Sequence, residues 1–140
     1  MNVLIKIVIA VILSFVSYQS EAQEKYNITI TVEETDSNDG KMLLALYNSE
    51  TNFLETSYKG TKSDIVNNMC TITFKNVPEG TYAVSIFHDE NNNEKLDTNF
   101  FGIPKEDYGC SNNAKGFMGP PKWEDAKFQL KANKKITITL

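Results

Sequence analysis

Residues 77–88, Val77-Pro78-Glu79-Gly80 followed by TYAVSIFH, decide how this chain folds. Tyr82, Val84, Ile86 and His88 fall on one face of an extended segment, and Ala83, Ser85 and Phe87 on the other. That is the two-residue period of a β-strand. Pro78-Glu79-Gly80 ahead of it is turn chemistry, with Gly80 supplying backbone freedom that a larger residue lacks.

The same period recurs in both directions. Upstream, residues 70–77 alternate through Cys70, Ile72 and Phe74, and residues 26–32 put Tyr26, Ile28, Ile30 and Val32 on one face. Residues 41–48 (KMLLALYN) are more continuously apolar, as a central strand is, and the Asp39-Gly40 step before them is a hairpin signal. Downstream, residues 125–130 turn Ala126, Phe128 and Leu130 inward, and residues 135–140 do so with Ile136, Ile138 and Leu140. Residues 50–60 fit a short helix, a loop or an edge strand. Residues 89–122 read as one long irregular stretch holding three of the four prolines. Short strands without a long amphipathic helix predict an all-β fold, an antiparallel two-sheet β-sandwich of about seven strands.

The first 22 residues stand apart. Lys6, an apolar run at residues 7–16 and the small residues Ser20 and Ala22 have the layout of a secretory signal peptide, leaving residues 23–140 as a single domain. The run is about half of the ~20 residues that a bilayer span needs, so no membrane span is expected once it is removed. The expected location is extracytoplasmic, periplasmic or secreted, where Cys70 and Cys110 can pair or remain as buried thiols.

Composition excludes several classes of function. A formal charge of −4, from 14 Lys+Arg and 18 Asp+Glu, is no nucleic-acid footprint. One histidine and two cysteines rule out a three-histidine centre and a four-cysteine zinc site. No nucleophile motif is present, so no enzyme is expected. The alternative is a small hydrolase using His88 with Asp89 or Asp97.

The concentrated polar constellation is residues 88–97 (HDENNNEKLD). Asp89, Asn91, Asn93, Lys95 and Asp97 occupy positions 1, 3, 5, 7 and 9 of a calcium loop, with Lys95 offering its backbone carbonyl. Alternate side chains of a tightly curled loop point to one centre, which suits a hard cation that takes oxygen ligands. Glu94 stands where such loops want glycine, and Phe100 where they want a bidentate glutamate. The expected cofactor is therefore Ca²⁺, bound weakly, on the order of 10⁻⁴–10⁻³ M, in a loop joining two β elements. A second expectation rests on Phe100, Phe101, Tyr108, Phe117 and Trp123. These rings either cap the sandwich or form a contact surface for a cell-envelope glycan or a protein partner.

Residues 77–84 with residues 88–99, and then Phe101-Gly102-Ile103-Pro104-Lys105-Glu106, Tyr108-Gly109, residues 111–114, Gly119-Pro120-Pro121 and residues 125–128, resemble the bacterial DUF2141 family of uncharacterised secreted proteins. The resemblance spans nearly all of residues 23–140. It implies a β-sandwich and an extracytoplasmic address, and no activity. The Pro-x-Gly-x-Tyr turn at residues 78–82 also resembles that of prealbumin-like modules such as collagen-adhesin B domains. That likeness implies an Ig-like Greek key and a binding or spacer role.

Overall fold

Alternation along residues 25–33 becomes a strand because Ile28, Ile30 and Val32 bury completely while Thr29 and Thr31 face outward. The same logic, repeated, builds the molecule. The structure is a computed structural model and describes residues 2–9 and 22–140. Its strands are β1 (Lys25–Glu33), β2 (Lys41–Tyr47), β3 (Lys59–Ser63), β4 (Cys70–Pro78), β5 (Gly80–Asp89), β6 (Tyr108–Cys110), β7 (Phe128–Leu130) and β8 (Lys134–Thr139). One sheet has the order β4-β1-β8, and the other β3-β2-β5-β6 with β7 beside the first residues of β5. The result is an all-β two-sheet sandwich.

The core lies between the sheets. Ile28, Ile30, Val32, Phe74, Val77 and Ile138 meet Met42, Leu44, Leu46, Tyr82, Val84 and Ile86, and Phe128 and Leu130 close one side. A smaller cluster of Tyr47, Ala83, Cys110, Trp123 and Ala126 covers part of the outer face of the second sheet. All residues of both clusters and their flanking hydrophobics lie at or beyond Tyr26, so residues 23–140 carry their own core.

Several expectations need correction. Asp39-Gly40 does not make a hairpin: β1 and β2 belong to different sheets, and the turn carries the chain across the sandwich. Pro78-Glu79-Gly80 is a second crossing of the same kind. The Tyr82 hydroxyl pins it, donating to the Pro78 carbonyl at 2.8 Å. One pairing is parallel, β1 with β8, whereas the pattern predicted only antiparallel neighbours. Residues 123–126 form a one-turn helix ahead of β7, although Ala126 is buried as expected. Residues 50–60 resolve into turns followed by the start of edge strand β3. The long irregular stretch contains β6 and a short 3₁₀ turn at Ser111–Asn113.

Cys70 and Cys110 are both free and buried. They lie in opposite sheets and in separate hydrophobic clusters, so the disulfide reading is not realised. Burial pushes the Cys110 thiol up to about 11. Of the proposed signal peptide, residues 2–9 are described: residues 3–9 are helical, with Val3, Leu4, Ile5, Ile7, Val8 and Ile9 exposed. The rest of its apolar run and Ser20 lie outside the described residues.

Candidate functional site

β5 ends on two buried polar residues, His88 and Asp89. Their register against Met42 and Lys41 of β2 fixes where the following loop begins. Gly40, at φ +66°, lets the chain pass beneath: a Cβ there would lie 1.9 Å from the Asp89 carbonyl oxygen.

From Asp89 the loop curls through local side-chain acceptors. Asp89 Oδ1 accepts the Asn93 N–H at 3.1 Å, and Oδ2 accepts that of Glu94 at 2.9 Å. Asn91 Oδ1 also accepts the Asn93 N–H at 3.1 Å, and Asn93 Oδ1 accepts that of Lys95 at 3.0 Å. These are successive Asx turns, which explains the asparagine-rich composition. Asn92 and Glu94 take left-handed backbone conformations, φ 56° and 59°. Glu94 adopts the conformation that calcium loops reserve for glycine, held by Asp89 on its N–H and by a 2.5 Å ion pair with Lys62 on its carboxylate.

Asp97 closes the ring. Its carboxylate accepts the Asn91 amide at 2.6 Å and the Asn93 amide at 2.9 and 3.0 Å. Those donors, Asn93 first, hold its carboxyl below the usual carboxylate range. Asp89, Asn91, Asn93 and Asp97 are therefore brought together, and Lys95 joins through its N–H. Among the described residues, no group of three or more His, Cys, Asp or Glu side chains is placed to hold a metal. The oxygens on offer are two carboxylates and two amides, hard donors suited to a hard cation. Each amide oxygen accepts one or more N–H groups, and the amide nitrogens satisfy Asp97 internally. Lys62 pairs with Glu94 and lies near Asp89: the Glu94 carboxylate raises the Lys62 ammonium, and Lys62 in turn lowers the Glu94 carboxyl.

Glu106 completes the loop from a distance and was not anticipated. Its buried carboxylate accepts the Glu90 N–H at 3.2 Å on Oε1 and the Asp97 N–H at 3.1 Å on Oε2, tying the two limbs of the loop together. Its separation from Asp97 is no part of a calcium-loop spacing. Only the long loop's return, in which the Lys105 N–H donates to the Asp97 carbonyl at 2.8 Å, places it there.

His88 is sealed in the sandwich. Its Nε2 lies 2.7 Å from the Asp39 carbonyl oxygen, which fixes Nε2–H as donor. Nδ1 is buried without a hydrogen-bond partner, 3.8 Å from Glu90 Oε1. The hydrolase alternative requires an open cleft around His88, and the ring has no exposure. Ser111 is likewise buried, accepting the Val84 N–H at 3.0 Å and donating to the Ala126 carbonyl at 2.6 Å.

The aromatic residues divide. Trp123 is buried and packs edge-on to Phe53, which packs on Tyr47, so this part of the set caps the sheet. Phe100, Phe101 and Phe117 are exposed, and Tyr108 is partly so. Between the loops and the uncovered outer face of β2, β5 and β6 lies a cleft of about 1050 Å³, with Leu43, Ala45, Phe87, Ile103 and Pro121 in its walls. Its polar points include the Tyr47 hydroxyl, 3.2 Å from Ser85 Oγ.

No curated protein and no solved structure matches this chain. A family model described as an uncharacterised protein conserved in bacteria matches residues 30–139, which takes in both sheets and the whole 89–97 loop. The chain belongs to the DUF2141 family.

Proposed function

We propose that this protein is an exported, non-enzymatic β-sandwich module, prealbumin-like in its Greek-key corners, whose 89–97 loop binds Ca²⁺ weakly and is stiffened by it. The observation that carries the reading is the convergence of Asn91, Asn93 and Asp97 on one another above the Asp89 carboxylate. To admit a cation, the Asn91 and Asn93 amide nitrogens must leave Asp97 and the amide oxygens must turn from the Asn93 and Lys95 N–H groups to the centre. Export is supported by the exposed apolar residues near the N-terminus, which add nothing to either core. The corner reading is supported by the Tyr82–Pro78 bond.

Binding to the folded state alone stabilises it by RT ln(1 + [Ca²⁺]/Kd), about 1.4 kcal/mol at tenfold excess over Kd. The melting midpoint of residues 23–140 should rise by a few degrees in millimolar Ca²⁺ and return with EDTA, whereas Asp97→Asn should lose the response. A midpoint indifferent to both additions rejects the ion.

A second reading, a binding module for a cell-envelope glycan or protein, is favoured by the exposed rings and the cleft beside them. Substituting Phe87 and Ile103 with serine should then abolish retention on isolated envelope material. Unchanged retention counts against it.

A further inference from the structure

Two loops stand at the mouth of the cleft, and each carries a pair of bare apolar side chains. In residues 98–105 these are Phe100 and Phe101, 97% and 83% exposed, and in residues 114–122 Phe117 and Met118, 91% and 94% exposed. Phe100 and Phe101 touch only edge-on, with centroids 5.5 Å apart. Gly102, at φ +77°, turns the first loop in open space. Phe101 and Met118 both border the cleft, so the pairs belong to one side of the molecule.

Apolar surface this exposed calls for a cover. Protein partners usually take their anchors in recessed, well-packed pockets ringed by other contacts. Projecting tips on two separate turns instead suit a medium that flows around each of them. Charge points the same way. Lys105, Lys115 and Lys122 are exposed within these loops, which contain no carboxylate, in a chain of net charge −4. Glu106, next in sequence, is buried on the Glu90 and Asp97 N–H groups. Glu124 is paired with Lys127 at 2.6 Å. One acidic residue, Glu55, borders the cleft. Exposed lysines in the loops that carry the apolar tips complement an anionic lipid surface, with Lys105 shared with the neighbouring Asp97 carboxylate.

We propose that residues 98–105 and 114–122 dock the protein on an anionic bilayer, the four apolar tips entering the headgroup–acyl boundary and the three lysines meeting lipid phosphates. The docking is peripheral: among the described residues no helix is long and apolar enough to cross a membrane. It does not depend on calcium.

The test is flotation of residues 23–140 with vesicles of phosphatidylcholine, alone or mixed with phosphatidylglycerol. The protein should float with the mixed vesicles. Phe100→Ser with Phe101→Ser should lower the bound fraction about tenfold or more, as should Phe117→Ser with Met118→Ser. Replacing the three lysines by glutamine should remove the preference for phosphatidylglycerol, and added salt should weaken binding. These side chains are almost fully exposed, so an unchanged melt is expected of every variant. Should a variant melt early, the salt and lipid dependence of the unaltered protein decides alone. Absence from both vesicle fractions overturns the proposal. So does undiminished flotation of the loop variants, or tips that pair two copies or hold a protein or glycan without any flotation.

Discussion

Tyr82 shows how one atom fixes a crossing between sheets. Its ring packs in the core while its hydroxyl reaches back to the Pro78 carbonyl. Tyr82→Phe keeps the ring and leaves that carbonyl without its donor, so it should cost about 1 kcal/mol in chemical denaturation, a few degrees in Tm. The sequence marked the turn at Pro78-Glu79-Gly80 and put Tyr82 on the inward face, but the hydroxyl bond back to Pro78 emerged only with the structure. Asp97 makes a second residue-level test. Its folded pKa is depressed, so its contribution is present above the unfolded value of about 3.9 and is lost only as pH falls through the lower folded value. An NMR titration of its carboxyl should have its midpoint below 3.9, and a midpoint at or above that value would mean the Asn91 and Asn93 amides do not hold it.

At the scale of elements, periodicity was informative where a strand buries one face. β1, β4, β5 and β8 fall where alternation placed them, and β2 where its continuous apolar run did, to within a residue or two. β3 (KGTKS) has no apolar alternation, and it is a strand because β2 offers an unpaired edge. Asp39-Gly40 announced a turn correctly, but a turn signal carries no information about which strand the chain meets next. The 89–97 loop was legible for a related reason: its bonds are local, between residues two to six apart. Glu106 was not, because only tertiary folding brings it to Glu90 and Asp97. Glu106→Ala frees the Glu90 and Asp97 N–H groups, and Asp89→Ala frees that of Glu94 while leaving that of Asn93 to Asn91 Oδ1 alone. Each should cost about 1–3 kcal/mol in denaturant unfolding, and the pair should be less than additive, since both brace the same loop. Two full, additive penalties would mean that they act independently.

For the whole molecule, two sheets share one core and need no covalent staple. Cys70 and Cys110 sit apart in opposite sheets, so a reducing agent should leave Tm unchanged, and neither thiol should react with an alkylating reagent before the protein unfolds. A Tm that drops on reduction would contradict that arrangement. The second apolar loop lies between β6 and β7, while the acidic loop and the first apolar loop share the connection from β5 to β6. The rigidity of that connection therefore depends on what gathers residues 89–97. The most direct test is a ¹⁵N–¹H NMR titration of residues 23–140 with Ca²⁺. The side-chain amides of Asn91 and Asn93 and the backbone amides of residues 89–97 should shift together, saturating on the order of 10⁻⁴–10⁻³ M while the sheets stay still. Those resonances remaining fixed through several multiples of that range would contradict calcium binding by this loop.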